Sequence, residues 1–293
     1  MLSSERTVPC AWVHKRAVEQ VLVTDVAEEE GRLLAMAQLP RTHRLYNDVP
    51  RNGRRRHDLL LLGEAARQSS EAIVHRLMGV PLDRQFVIGT MRVAMLDEKA
   101  VCAGPEPENM VAELVVHKAK KRPDGTPRHL RASVICHLKG VPAVEFSGTL
   151  MLVAQDSYEA LREEAGAVAV GSGGVRPSPA EVGRTDPRNV VIADLRREDG
   201  RLTARLDVDP GDPVFFDHAL DHYPAMLLGE GARQVALAAL PGAVDITEYA
   251  FTFEQFAELA APVAFRATPR ENSVAIEIVQ GEETVATGEI TID

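Results

Sequence analysis

Apolar and polar residues alternate along most of this chain, in two sets of runs. The first set is QFVIGTMRVAML (85–96), MVAELVVHKAKK (110–121), HLRASVICHLK (129–139) and AVEFSGTLMLV (143–153). The second is DITEYAFTFEQ (245–255), PVAFRAT (262–268), SVAIEIVQ (273–280) and TVATGEITI (284–292). A period of two with β-branched and aromatic residues predicts half-buried strands. Each set is preceded by a strand–turn–strand pattern, AVEQVLVTDVAEEEGRLLAMAQLP (17–40) and NVVIADLRREDGRLTARLDVDP (189–210), with REDGR as a hairpin turn. Between strand pair and strand set the period changes. HDLLLLGEAARQ (57–68) and HYPAMLLGEGARQ (222–234) are leucine-rich and share LLGE-x-ARQ.

These two stretches predict helices over 58–78 and 224–240. On the first, Leu60, Leu61, Glu64, Arg67 and Gln68 share one face, while Leu62 and Ala66 lie opposite. A helix that is apolar nearly all round is a buried helix. Each half therefore reads as strand, strand, buried helix and four strands: an α+β class in which one long helix is wrapped by an antiparallel sheet. That is the hotdog arrangement, and its repetition predicts a double hotdog in which the halves form an intrachain pseudo-dimer. The expected boundaries are 1–154 for the first repeat and 189–293 for the second. A short helix and a Gly/Pro/Ser-rich linker fill 155–188.

Composition narrows the function classes. The chain has 293 residues, 45% hydrophobic and 26% charged, with a net charge of −10. That balance disfavours a nucleic-acid or anionic-membrane surface, and 4% aromatic residues leave few stacking platforms. No apolar run is long enough to span a bilayer, and MLSSERTVPCAWVHKR has no secretory pattern. Three scattered cysteines fit a reducing cytoplasm, and Cys136 reads as a core strand residue. No nucleophile elbow, P-loop or zinc-protease motif occurs, and no metal or cofactor is expected.

Glu64 and Glu230, each followed by Arg (Arg67, Arg233) and Gln (Gln68, Gln234), are the candidate chemistry. Buried charges are costly unless paired, so these residues are either structural ion pairs or a general base with an anion-holding guanidinium. DPVFFDHALDHYPAMLLGEGARQ (212–234) places His218, His222 and Pro224 before the second helix. It resembles the phrase of 3-hydroxyacyl-carrier-protein dehydratases, so a dehydratase or thioesterase of the hotdog class is one alternative function and a non-catalytic acyl-binding module another. His57 and Asp58 open the first helix after a longer approach from His43. Arg51, Arg54, Arg55 and Arg56 form a basic run, read either as a solvated loop or as a dock for an acidic carrier protein.

VHKRAVEQVLVTDV, QLPRTHRLYNDV, HDLLLLGEAARQ, GVPLDRQFVI, VGRTDPRNVVIADL and PVFFDHALDHYPAMLLGEGARQ together resemble the A-factor biosynthesis hotdog family, the γ-butyrolactone autoregulator synthases. The resemblance runs from about residue 13 to the end of the sequence, with departures at Leu59, Gly63, Ala225 and Gly229. It implies transfer of a β-ketoacyl group from acyl carrier protein, carried on phosphopantetheine, to the hydroxyl of a small phosphorylated alcohol such as dihydroxyacetone phosphate. It also implies functional residues at Glu64, Glu230 and Arg233. Arg67, Gln68, Gln234, His218, His222, His57 and Asp58 are expected to line the substrate site.

Overall fold

The structure is a computed structural model that describes residues 2–48, 55–163, 173–242 and 245–293. It divides into two compact units. Among the described residues the first comprises 2–42 and 55–163, and the second 43–48, 173–242 and 245–293.

In the first unit, β1 (Val23–Glu29) and β2 (Arg32–Leu39) form a hairpin, α1 (Leu59–Arg76) follows, and β3 (Arg84–Met95), β4 (Glu108–Lys121), β5 (Pro127–Leu138) and β6 (Val141–Ala154) complete an antiparallel sheet of order β1-β2-β4-β5-β6-β3. A short helix, α2 (Gln155–Leu161), ends the unit. The second unit repeats the plan with β7 (Ile192–Glu198), β8 (Arg201–Leu206), α3 (Ala225–Ala239), β9 (Ile246–Phe253), β10 (Val263–Pro269), β11 (Ser273–Gln280) and β12 (Glu283–Ile292), in the order β7-β8-β10-β11-β12-β9. Each unit is a hotdog, with its own helix lying on its own sheet.

Local chemistry accounts for these elements. Glu30–Gly31 and Asp199–Gly200 both have positive φ, as a two-residue turn matched to strand twist requires. The Asp58 carboxylate accepts from the Leu60 N–H at 2.8 Å and so caps α1. Residues Leu59 through Ala66 are all buried, as the nearly continuous apolar surface of that stretch predicts.

The expected linker takes a different form. From residue 173 onward it belongs to the second unit, where Pro179–Val182 and Pro187–Asn189 form 3-10 turns. Ser178 and Glu181 close the first of these as a capping box. Arg184 between them is 1% exposed. Proline and glycine here fix tight turns under a buried helix, where composition alone reads as flexibility. Residues 43–48 likewise pack in the second unit, ahead of the helix of the first.

The helix of the second unit approaches its sheet closely at Gly231, where an added Cβ would stand 2.3 Å from the ring of Phe265. Phe265 is fully buried and has nowhere to retreat. Gly231→Ala is expected to destabilise the protein by about 1–3 kcal/mol despite alanine's better helix propensity. Phe265→Leu in the same chain is expected to recover part of that loss. Urea unfolding midpoints of the single and double variants check both expectations.

Candidate functional site

The repeated Gln fastens each helix to the chain entering its sheet. Gln68 accepts the Leu22 N–H at 2.8 Å and donates to the Gln20 carbonyl at 2.9 Å and to Glu64 Oε1 at 2.8 Å. Gln234 accepts the Val191 N–H at 2.9 Å and donates to the Asn189 carbonyl at 2.7 Å and to Glu230 Oε1 at 2.5 Å. Both glutamines are fully buried, so their amides satisfy backbone groups that water cannot reach.

The glutamates are answered by cations, and here the halves diverge. In the first unit Arg67 grips Glu64 through two hydrogen bonds, Nε to Oε2 at 2.8 Å and Nη2 to Oε1 at 2.7 Å. Its Nη1 reaches Glu71 at 2.5 Å, and Lys15 Nζ lies 3.4 Å from Glu64 Oε1. In the second unit Arg184, from the turn that matches the one bearing Lys15, takes the carboxylate instead. Its Nε and Nη2 donate to the two oxygens of Glu230 at 2.9 and 2.5 Å. Its Nη1 donates to the carbonyls of Leu45 and Asp48, both at 2.8 Å. Arg184 and Glu230 are sealed, with 0% of either side chain exposed. Arg233, displaced from the position Arg67 holds, stands 3.7 Å from Glu230 Oε1, and its buried Nη1 makes no hydrogen bond.

Asp48 braces this arrangement. It accepts from Thr185 N at 3.0 Å and from the Thr185 hydroxyl, and from Asp186 N at 3.1 Å and Asn189 Nδ2 at 2.8 Å. Burial pushes its carboxyl up, but these donors outweigh burial and hold it below the usual carboxylate range. Lys15, Glu71, Arg184 and Asp48 were not identified from the sequence. The usable signal was the basic residue after Val-His and Val-Gly in VHKR and VGRT.

In the first unit one arginine serves two acids. Burial raises the carboxyl of Glu64, but Arg67 and Lys15 overcome it and hold Glu64 far below the usual range. Glu71 goes the other way: burial, reinforced by the charge of Glu64 and only partly offset by Arg67, raises it to about 7. Glu71 lines a narrow cleft of about 50 Å3 with Arg67 and Ser70, and the remaining wall is almost entirely apolar. The position on α3 that corresponds to Glu71 is Leu237.

The model of the A-factor biosynthesis hotdog domain matches residues 2–154 and 176–293. The chain belongs to this family. The 2-oxo-3-(phosphooxy)propyl 3-oxoalkanoate synthase of Streptomyces virginiae is 31% identical over 270 residues, covering 90% of this chain and 87% of the relative. The synthase of the same name from Streptomyces coelicolor is 29% identical over 272 residues, covering 92% and 84%. Among solved structures, a trans-AT polyketide synthase dehydratase domain from Brevibacillus brevis matches with a TM-score of 0.57 at 12% identity, over 92% of this chain and 97% of that one. A 12:0-ACP thioesterase from Umbellularia californica matches at 0.51 and 10% identity, over 89% and 97%. At such identities these two likenesses concern the fold alone.

In this family member the remaining candidates are dispersed. His57 pairs with Glu108 of β4 at 2.9 Å, and burial lowers its basicity. Asp58 is the helix cap described above. His218 bonds Asp217 at 2.8 Å, and His222 bonds Asp221 at 2.6 Å and meets Phe256 edge-on. Arg55 is exposed. Arg56 is ion-paired with Glu98 and its side chain is only 12% exposed, so it is not an open docking cation. Arg51 and Arg54 lie outside the described residues. Cys136 is buried in β5, and burial pushes its thiol up to about 12. No helix among the described residues is long and apolar enough to cross a membrane.

Breaking the sealed pair leaves a buried charge without compensation. Arg184→Leu or Glu230→Gln is each expected to cost about 3–5 kcal/mol of stability. Arg184→Met with Glu230→Leu is expected to recover much of that, short of the carbonyls of Leu45 and Asp48 that lose their donor. Guanidinium unfolding of the three variants measures this, and singles as stable as the parent would show that the pair carries no structural load.

Proposed function

We propose that this protein is a β-ketoacyltransferase. It moves a β-ketoacyl group from acyl carrier protein to the hydroxyl of dihydroxyacetone phosphate or a similar glycerol-type phosphate, in the cytoplasm, on the way to a γ-butyrolactone-type signal. The name of the Streptomyces synthases spells out such an ester, a 3-oxoalkanoyl group on a phosphorylated three-carbon ketone. Within the site, the observation that carries the reading is Arg233, a buried guanidinium with an unused N–H. Burying that N–H without a hydrogen-bond acceptor costs free energy that an anionic ligand would return, and a planar fork suits a phosphate.

Glu230 and Glu64 were expected from the sequence to include the general base. Their geometry favours another task. The oxygens of Glu230 are occupied by Arg184 and Gln234, and those of Glu64 by Arg67 and Gln68. We assign both as positioning residues that set the arginines.

Incubation with a β-ketoacyl thioester and dihydroxyacetone phosphate is expected to yield the phosphorylated ester. Dehydration, hydrolysis or binding alone would overturn the reading in favour of a dehydratase, a thioesterase or an acyl-binding module. Arg233→Lys keeps the charge and loses the fork, and it is expected to raise the acceptor's KM by roughly 10- to 100-fold while the thioester's KM holds.

Docking of the acidic carrier is assigned to Arg51, Arg54 and Arg55 of the basic run. On a chain of net charge −10 such a patch offsets long-range repulsion. Replacing the three by Gln is expected to slow turnover of carrier-bound substrate and to flatten its salt dependence, with a small soluble thioester unaffected. Equal losses on both donors would count against docking.

A further inference from the structure

Glu71 is an acid that the fold does not require. It sits one turn beyond Arg67 on α1, 5% exposed. Its Oε1 receives Arg67 Nη1 at 2.5 Å, while its Oε2 is buried and makes no hydrogen bond. An unsatisfied buried acceptor costs about 1–3 kcal/mol. The second unit builds the same helix on the same sheet with Leu237 at this position, so architecture does not explain the cost. Glu71 also lines the apolar cleft between α1 and the inner faces of β3 to β6.

We propose, building on the acyl-transfer reading, that Glu71 is the acid–base residue of the reaction. Oε2 accepts the proton of the attacking hydroxyl as that oxygen bonds to the thioester carbonyl carbon. When the carbon–sulfur bond breaks, the same proton passes from Glu71 to the departing sulfur. Ester and free thiol are formed, and the enzyme is unchanged. Arg67 holds Oε1 and so fixes the direction of the free oxygen, and Glu64 in turn clamps Arg67 from the other side. This gives the repeated Glu–Arg pair of the first unit a positioning role in the chemistry.

The surroundings tune the group. From its own helix Glu71 faces Arg67, Glu64 and His75. The segment before β1 adds Lys15, which reaches Glu64, and His14, which lies 2.8 Å from His75. The cleft residues of β3 to β6 are Phe86, Ile88, Thr90, Leu114 and their neighbours, none of them ionisable. The balance places the carboxyl at about 7, where one group can both take and return a proton.

The test is ester formation by the full chain from a small soluble β-ketoacyl thioester and dihydroxyacetone phosphate, followed from about pH 5 to pH 9. In the parent protein kcat/KM is expected to rise with pH through about 7, as Glu71 loses its proton. Glu71→Gln is expected to lower kcat by roughly 10²–10⁴-fold and to abolish that rise, with melting temperature and affinity for a non-reactive thioether analogue unchanged. Glu71→Asp is expected to restore part of the rate. Should Glu71→Gln not fold, Glu71→Leu, the side chain α3 carries at this position, provides the same comparison. A folded variant with near-parental kcat and the same pH profile would overturn the assignment and leave the acyl-transfer reading standing. A parent protein that makes no ester at any pH would instead overturn that reading, and the assignment with it.

Discussion

A helix can lie buried along its whole length only if every polar group on it is answered from inside the protein. In each unit much of that task falls to one side chain, Gln68 or Gln234, whose amide spans the backbone entering the first strand and the carboxylate one turn earlier. Remove that amide and a backbone N–H, a carbonyl and a carboxylate lose partners together, each at a cost of the order of 1–3 kcal/mol. The hotdog packing, the burial of the glutamates and the placement of the arginines all depend on it.

From this common anchor the two units part in their charges. The first surrounds Glu64 with Arg67 and Lys15 and adds a second acid, Glu71; the second seals Glu230 with Arg184 and carries Leu237 where Glu71 would be. One unit thus holds a carboxyl in excess of what its arginine can satisfy, and the other an arginine in excess of what its glutamate can satisfy. The first unit is left with an acid raised towards neutrality, the second with a cation that has an unused donor. The two copies share a scaffold and differ chemically at the helix and its flanking turn.

The same divergence separates side chains whose hydrogen bonding is complete from side chains that keep a buried atom unused. Arg184, Asp48 and the two glutamines are fully engaged within the protein. Glu71 Oε2 and Arg233 Nη1 are not. A buried polar atom left without a hydrogen bond destabilises the chain that carries it.

The sequence by itself determined the architecture. Period-two runs, Asp-Gly and Glu-Gly turns and a leucine-rich stretch apolar nearly all round each specify local structure through interactions that span only a few residues, and LLGE-x-ARQ announced the duplication. It also pointed to the glutamate, arginine and glutamine of that motif, because buried charge in a repeat is visible in one dimension. What it left open was which cation meets which carboxylate. Arg184 reaches Glu230 from a segment that reads as a linker, Asp48 reaches the same cluster from beyond the first helix, and Glu71 is an ordinary helical acid until the sheet closes over it. Pairing and desolvation depend on distances between residues remote in the chain, and only the packed tertiary structure sets those distances.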